Sequence, residues 1–315
     1  MEVEDCCYPL VGSLVATTDG KEGFSGCQVA ILLGGFPRQA GMERKDLTAK
    51  NARGMLPQAA ALVQYADPEV KVLVVANPAN TNALVAMEQA PGIPRVNFSS
   101  LTRLDQERCR YFVSEFVNEA RKHAPALSSL YADQPATRPS DVSGVSIWGN
   151  HSSTQVPFLD TATVCIGGAT VSVTDILAKH PLNAEHTGAR KAEAELMKRV
   201  QKRGAEIINA QGASSGMSAA NAIAKHLQDW LSPLPSADGE VFSMGIVSDG
   251  NAYGVPNGLN FSFPCRRGAA GALEIVSDLS ISEAVQAQLD STTAELSEER
   301  RDAFNALVSG AESKL

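Results

Sequence analysis

Two continuous runs of apolar residues predict buried strands in the first third of the chain. They are CQVAILLGG at 27–35 and VKVLVVANP at 70–78, rich in valine, isoleucine and leucine. Such runs are typical of parallel strands that are covered on both faces. The segment between them, 46–66, has helical character, although Pro57 is expected to kink or divide the helix. Strand, helix and strand together predict a right-handed parallel βαβ unit.

The remaining pattern predicts a second, mixed part of the fold. The chain is α/β at first and α+β afterwards, which predicts a domain boundary that divides it into 1–95 and 96–315. Residues 123–143 are rich in proline, serine and aspartate and are expected to form an exposed loop or insertion. The other predicted elements are a strand at 95–100, helices at 101–124, 188–210, 215–231 and 280–310 with Ser280 or Ser282 as the cap of the last, and antiparallel strands at 240–250, 258–268 and 272–279.

Composition and charge exclude several classes of partner. The chain has 315 residues, 44% of them hydrophobic, and a formal net charge of -8. No segment concentrates lysine and arginine as nucleic-acid binding requires, and no stretch reaches the roughly 18 apolar residues of a membrane span. The first ten residues are acidic, unlike a signal peptide. The six cysteines lack metal-ligand spacing, so we predict free thiols and no metal site.

The chain ends with Ser313, Lys314 and Leu315. A terminal Ser-Lys-Leu is the address that the peroxisomal import receptor recognises. The sequence therefore predicts this receptor as a partner and a peroxisome or related organelle as the location. The alternative is a polar tail that frays from the last helix of a cytoplasmic protein.

The stretch SLTRLDQER, 100–108, ends a predicted strand and begins a predicted helix. Asp105 and Arg108 share one helix face because residues at i and i+3 are neighbours. A surface salt bridge is one interpretation, and such bridges contribute little to stability. A ligand site is the other, because ligands of α/β sheets bind beyond the carboxyl ends of the strands.

Other polar residues follow the buried strands or occupy polar turns. Arg38, Arg44 and Lys45 lie in a loop after the first strand, where three cations suit a small anion, unless the loop is only a solvated basic segment. Asn77 ends the second strand, either as an amide donor or as part of an Asn-Pro turn. His151 lies in the polar turn GNHSST and is the histidine that we expect to act chemically. The others, expected beside loops or on helix surfaces, are His123, His180, His186 and His226.

Taken together, these motifs resemble the lactate/malate dehydrogenase superfamily and, within it, the cytosolic malate dehydrogenase type. LTRLDQER resembles the active-site signature, and GFPRQAGMERKDL resembles the mobile substrate loop. NPANTN, IWGNHSSTQ and VSDGNAYGVP match further blocks in the same order, and the similarity extends from residue 1 to about 310. The resemblance implies a Rossmann-like parallel sheet followed by an α+β substrate-binding catalytic domain, a homodimer, and NAD as cofactor.

The resemblance also implies roles for the acid-base residues. His151 would accept the proton of the malate C2 hydroxyl while a hydride leaves C2. Asp105 would accept a hydrogen bond from the other ring nitrogen, and Arg108 would bind the C1 carboxylate through a two-pronged bond. On this basis Asp105 and Arg108 are expected to face one substrate and not each other.

Further residues would define the substrate and the cofactor. By resemblance, Arg44 would polarise the C2 oxygen with help from Asn77, and Arg38 would bind the distal carboxylate. A second cation favours a dicarboxylate, malate or oxaloacetate, because an unpaired buried charge is strongly disfavoured. Ser215 is expected near the substrate or the nicotinamide, with helix packing as the alternative. Asn51 and Asn77 are the predicted cofactor contacts.

The sequence departs from this superfamily at its beginning. The motif G-x-x-G-x-x-G and the second strand with its acidic residue are absent, and the chain begins about fifty residues later than its relatives. The Rossmann-like sheet is therefore expected to be N-terminally incomplete. Two hypotheses follow: an incomplete sequence of an NAD-dependent malate dehydrogenase, or a cofactor-less, inactive homologue that acts as a structural or dimerising partner. A third is a relative that acts on other 2-hydroxy acids, which Arg38 disfavours.

Overall fold

The computed structural model of the protein describes residues 2–36, 44–183, 190–237, 240–269 and 271–312. The strands are β1 (Val29–Leu32), β2 (Lys71–Val74), β3 (Phe98–Ser100), β4 (Val142–Ser143), β5 (Ser146–Trp148), β6 (Val156–Phe158), β7 (Thr163–Ile166), β8 (Ala169–Ser172), β9 (Phe242–Val247), β10 (Asn260–Arg267) and β11 (Leu273–Ile275). The helices are α1 (Glu2–Asp5), α2 (Gly20–Phe24), α3 (Arg44–Tyr65), α4 (Ala79–Glu88), α5 (Arg103–His123), α6 (Pro125–Leu130), α7 (Val173–Leu177), α8 (Lys191–Gln211), α9 (Met217–Leu231) and α10 (Glu283–Glu312).

Parallel strands β1, β2 and β3 form the first half of a mixed sheet, so the predicted βαβ unit is confirmed. Val72, Leu73 and Val74 of β2 are completely buried, as expected for a strand that is covered on both faces. The same expectation is wrong for β1, which lies at the edge of the sheet and leaves Ile31 exposed. Pro57 lies within the continuous helix α3, so it does not divide the helix, and the expected kink stays a prediction. Met55, which precedes the proline, is buried in the core, and so are core residues of the helix after the proline. This packing outweighs the backbone hydrogen bond that proline cannot donate.

The second half of the sheet is antiparallel, as the pattern predicted. The strand order is β1-β2-β3-β9-β10-β11, and β9 joins β3 at the pair Ser100 and Gly245. A Cβ atom on Gly245 would lie 1.8 Å from Ser100 Oγ, so only glycine permits this approach. The predicted boundary at residue 95 lies just before β3, and it stays a prediction because one sheet spans both sides.

Helix α5 forms the centre of a hydrophobic core that contains no residue of the six-stranded sheet, and we call it the second core. This helix was predicted at 101–124, and it carries an apolar stripe in which Phe112, Phe116 and Val117 are buried among residues of α7, α8 and the small sheet β4-β7-β8. Helix α10 packs against α3 and α4. Its predicted cap is Ser282, whose hydroxyl accepts from the backbone N–H of Val285 at 3.3 Å. Within the described part of the chain, no helix combines the length and apolarity that a membrane crossing requires.

The prediction of a loop over 123–143 is wrong in part, because α6 and a 3₁₀ helix (Pro139–Asp141) form within it. Leu127 of α6 is buried in the second core. Arg121 donates to the carbonyls of Pro135 and Gln134 at 2.9 and 3.0 Å. A buried leucine and a multiply bonded arginine order this segment, and neither contact is visible in its proline-rich composition.

Candidate active site

The junction of β3 and α5 places Asp105 in the first turn of a helix at the carboxyl end of a strand. Gln106 fixes this turn: its side-chain nitrogen donates to the carbonyls of Val145 and Val241, and its oxygen accepts from the N–H of Ser243 at 2.8 Å. The predicted strand-to-helix junction is therefore confirmed. It lies where α/β proteins bind their ligands.

His151 and Asp105 form a hydrogen-bonded pair, through Nδ1 of the histidine and one carboxylate oxygen. The Asp105 side chain is 0% exposed, whereas 19% of the His151 side chain is accessible. An ionised carboxylate only accepts hydrogen bonds, so Nδ1 carries the hydrogen in this pair. Nε2 of a neutral His151 is then left with a lone pair, as a general base requires.

The surroundings of this pair shift both pKa values in opposite directions. Burial alone would raise the pKa of Asp105, but the charges and hydrogen bonds of His151 and Arg108 outweigh burial and lower it. Burial alone would lower the pKa of His151, and Arg108 acts in the same direction. The attraction and hydrogen bond of Asp105 outweigh both effects, so the pKa of His151 is raised. The ionised form of Asp105 is therefore favoured, and His151 keeps its proton to a higher pH than an ordinary histidine does.

Arg108 contacts both Asp105 and Ser215. Its Nη1 lies 2.9 Å from the second carboxylate oxygen of Asp105, and its Nη2 donates to Ser215 Oγ at 3.1 Å. The prediction that Asp105 and Arg108 do not face each other is wrong, because a fully buried carboxylate requires charged partners for both oxygens. The surface salt bridge is also excluded, since only 11% of the Arg108 side chain is exposed. Its Nε is buried without a hydrogen-bond partner among the described residues.

Family models match nearly the whole chain. The lactate/malate dehydrogenase α/β C-terminal domain matches residues 102–307, which include all four residues of this arrangement. The NAD binding domain of the same family matches residues 1–99. The chain belongs to the lactate/malate dehydrogenase family. The resemblance that its motifs suggested is thus confirmed.

Curated relatives in the lactate/malate dehydrogenase family cover the chain almost completely. A Nicotiana tabacum protein named malate dehydrogenase is 43% identical over 311 residues, which are 98% of this chain and 83% of that protein. A Rattus norvegicus protein named cytoplasmic malate dehydrogenase is 41% identical over 309 residues, 98% of this chain and 84% of that protein. The predicted oxidoreductase class and the predicted cofactor, NAD, are confirmed.

Solved structures of the family share the fold. A Trichomonas vaginalis lactate dehydrogenase in complex with NADH and oxamate has a TM-score of 0.82 at 33% identity, over 98% of this chain and 84% of that chain. A malate dehydrogenase from Naegleria fowleri has a TM-score of 0.77 at 34% identity, over 97% of this chain and 82% of that chain. The predicted α/β fold class is therefore confirmed.

The carboxyl ends of the parallel strands β1 and β2 lie at one edge of the sheet, next to the predicted cofactor contacts Asn51 and Asn77. A Cβ atom on Gly35 would lie 3.0 Å from Ala76 Cβ, so glycine lets the two strand ends approach closely. The Asn51 amide accepts from the N–H of Phe36 at 2.7 Å and donates to its carbonyl at 3.2 Å. Asn51 thus holds the backbone of this edge, while Asn77 is exposed on it. Their direct contacts with the cofactor stay predictions.

Several predicted residues lie outside the described part of the protein. Arg38 belongs to 37–43, and the C-terminal tripeptide is 313–315. Arg44 begins α3, but its side chain is likewise outside the description. The two arginines and the terminal address stay predictions.

The histidine predictions were incomplete. His180 and His226 are buried instead of lying on the surface, and His186 is outside the described residues. Nε2 of His226 lies 3.1 Å from Ser99 Oγ, and burial lowers the pKa of His226 to about 3. His226 therefore stays neutral at physiological pH. Among the described histidines, His151 is the one that combines a carboxylate partner with an accessible ring.

Sequence reasoning missed the residues that support the His151 loop, which we define as residues 149–155. Asn80, buried in the first turn of α4, accepts from the backbone N–H of His151 at 2.9 Å and donates to the Asn260 carbonyl at 3.1 Å. Polar residues of α10 bind the same loop at positions 292, 295 and 299. These positions have the spacing i, i+3 and i+7, which puts polar residues on one helix face, and this spacing is the sequence signal that could have identified them.

Proposed function

We propose that the protein is an NAD-dependent malate dehydrogenase that interconverts malate and oxaloacetate. The observation that carries the proposal is the arrangement of His151 and Arg108 on the buried carboxylate of Asp105. This arrangement places a base with a raised pKa, His151, beside a cation, Arg108. The names of the tobacco and rat relatives support malate as the substrate.

The proton chemistry follows from the hydrogen-bond pattern. When bound, NAD supplies the acceptor for the hydride that leaves C2 of malate. Nε2 of His151 accepts the proton of the C2 hydroxyl as the carbonyl forms, and the resulting imidazolium is stabilised by Asp105. In the reverse direction the imidazolium returns this proton to the C2 oxygen. Asp105 stays ionised throughout and fixes the ring orientation.

Cationic and polar side chains would bind the substrate. Arg108 would hold the C1 carboxylate, and its contact with Ser215 at 3.1 Å puts a hydroxyl within reach of the same group. Arg44 and Asn77 would polarise the C2 oxygen. Arg38 would hold the distal carboxylate, which makes a dicarboxylate the preferred substrate.

Malate-dependent reduction of NAD, followed by NADH absorbance, tests the proposal. The assay is run on this chain and on the chain preceded by a glycine-rich strand-loop-strand segment from a relative, since that motif is absent from the sequence. Activity with malate in either protein supports the proposal. Folded proteins without activity in both cases would contradict it and favour the structural-partner hypothesis.

A substrate panel with an Arg38→Leu variant tests the dicarboxylate preference. Removal of the distal cation should raise KM for oxaloacetate and lower kcat/KM by about 10²-fold or more, because a buried charged hydrogen bond contributes roughly 3 kcal/mol or more. Activity with pyruvate should change much less. Equal losses for both substrates would show that Arg38 does not read the distal carboxylate.

The compartment and the assembly belong to the same proposal. Ser313, Lys314 and Leu315 would be recognised by the peroxisomal import receptor, whereas relatives from beet and rat carry the name cytoplasmic. We further propose a homodimer, and a chain divided into a partial NAD domain, 1–95, and a catalytic domain, 96–315. Neither nucleic acid nor membrane is proposed as a partner.

A further inference from the structure

One face of α10 is polar where it meets the His151 loop. Thr292, Glu295 and Glu299 share this face, and we call them the α10 polar face. Thr292 and Glu299 are buried, and Glu295 is partly buried. A surface helix usually turns apolar residues towards its neighbours. Two carboxylates in this position therefore require a specific role.

Glu295 collects hydrogen bonds from three donors of the His151 loop. Its Oε2 accepts from the Asn150 amide at 2.9 Å, from the Ser152 hydroxyl at 2.5 Å and from the Thr154 hydroxyl at 2.6 Å. Hydrogen bonds to a carboxylate are short and about twice as strong as neutral ones. These donors flank His151 on both sides, so one oxygen fixes the loop before and after the histidine.

The other two residues of the α10 polar face anchor the same loop. Thr292 Oγ1 accepts from the backbone N–H of Asn150 at 2.9 Å. Glu299 accepts from the Asn150 amide at 3.1 Å and from the Thr81 hydroxyl of α4. Because α4 follows Asn77, this carboxylate connects the predicted cofactor edge with the loop that carries the base.

We propose that Glu295 is a positioning residue that fixes the His151 loop for proton transfer. Its hydrogen bonds described above go to the residues on either side of His151, so it acts through the loop. Misplacing a catalytic group by about 1 Å can lower a rate by about 10²-fold. The proposal rests on the function proposed above, and its first test does not require activity.

The first test measures the pKa of His151 by NMR in protein that carries carbon-13 at histidine Cε1. The chain has five histidines, so the His151 signal can be assigned through His151→Asn. In Glu295→Ala the pKa should fall from its raised value towards the ordinary value of roughly 6.5, because the loop no longer holds His151 on Asp105. The charged groups around His151 are Asp105 and Arg108 of α5 and, further out, the glutamates of α10.

Two matched variants separate positioning from charge and from general destabilisation. Glu295→Gln removes the charge but keeps an accepting oxygen, so the pKa of His151 should stay close to its native value. Glu298→Ala removes a glutamate that is 67% exposed on the same helix, and it should change nothing. If Glu295→Ala fails to fold, Thr154→Val removes one donor from the loop side and should lower the pKa in the same direction.

Kinetics give the second readout. Glu295→Ala should lower kcat for malate by about 10- to 100-fold with a smaller change in KM, because Arg108 belongs to α5 and not to the loop. Glu295→Gln should retain most of kcat. A native pKa and kcat in Glu295→Ala, or equal pKa shifts in the Ala and Gln variants, would overturn the proposal. An inactive wild type with the expected pKa shifts would instead contradict only the proposed function.

Discussion

At the scale of single residues, the fully buried carboxylate of Asp105 organises the site. Its two oxygens accept hydrogen bonds from different partners, Nδ1 of His151 and Nη1 of Arg108. A buried carboxylate without such partners would be protonated, and it could then no longer stabilise an imidazolium. The cost of burying this charge is thus offset by two interactions that also orient the predicted base and the predicted carboxylate ligand.

Replacing Asp105 with asparagine should remove most of the activity. The amide cannot stabilise the imidazolium of His151, so kcat should fall by about 10²- to 10⁴-fold, the range that a positioned acid-base pair contributes. Steady-state kinetics with malate measure the effect. Glu115→Gln, an exposed change on the same helix, is the control and should leave kcat unchanged. A variant that keeps native kcat would show that Asp105 has no part in proton transfer.

The two reaction directions should respond oppositely to pH. Malate oxidation requires neutral His151, so kcat/KM for malate should rise with pH through the raised pKa of this residue. Oxaloacetate reduction requires the imidazolium and should fall over the same range. Both midpoints should lie above the ordinary histidine pKa of roughly 6.5. Midpoints below that value, or equal trends in both directions, would contradict the assignment of His151 as the acid-base group.

The chemistry of single residues was visible in the sequence, but their contacts were not. A polar turn singled out His151, whereas the role of Asp105 was implied only by the family resemblance, because the strand-to-helix junction alone also allowed a surface salt bridge. The sequence offered a surface salt bridge or a ligand site for Asp105 and Arg108, and the buried ion pair was not predicted because burial is a property of the folded chain. Asn80 was missed because an asparagine after Asn-Pro is typical of turns, whereas here it is completely buried and binds the backbone of His151.

At the scale of elements, the His151 loop and α10 approach each other closely at Gly149. This residue has φ +88, and a Cβ atom there would lie 2.4 Å from Thr292 Cγ2. Glycine is therefore required twice, by the backbone conformation and by the neighbouring helix. The closeness explains how one face of α10 reaches several donors of the loop.

Gly149→Ala should destabilise the protein more than Gly168→Ala. Gly168 has φ +83 with no atom within 4 Å of its Cβ position, so alanine there meets only the left-handed backbone penalty of about 1–2 kcal/mol. At Gly149 the overlap with Thr292 should add about 1–3 kcal/mol. Denaturant unfolding measures the free energies of unfolding of both variants. Equal losses would show that the helix yields to the added methyl group.

Elements with strong hydrophobic patterns were predictable, and weakly patterned ones were not. The apolar run of β2 and the apolar stripe on α5 correspond to buried faces, so their pattern carries the structural information, whereas the run of β1 leaves Ile31 exposed at the edge of the sheet. Helix α6 is held by one buried leucine, Leu127, and its proline and serine residues are typical of loops. Pro57 is the reverse case, since packing on both sides of it keeps α3 continuous.

At the scale of the whole molecule, the C-terminal tripeptide predicts a location. The chain should enter peroxisomes when it is expressed with an N-terminal fluorescent protein in a eukaryotic cell, and deletion of Leu315 should leave it in the cytosol. Fluorescence microscopy with a peroxisomal marker measures both. Ser309→Ala, outside the tripeptide, is the control. The same distribution with and without Leu315 would contradict the address and favour a cytoplasmic enzyme.

The order of the elements along the chain was predictable, but the single sheet that spans the predicted boundary was not. The chain was expected to change from α/β to α+β near residue 95, and the described antiparallel pairs all follow that point, although β3 still pairs in parallel with β2. The single sheet that spans this change depends on the close approach of Ser100 and Gly245. No local pattern encodes a pairing between residues so far apart in the chain.

The contact between Thr81 and Glu299 joins residues that are 218 positions apart in sequence. Closing so long a loop is entropically unfavourable until both partners are already structured, so contacts of this kind form late in folding. During refolding from denaturant, helical content should therefore recover before catalytic competence. The protein would acquire its secondary structure first and its working acid-base group last, when α10 docks.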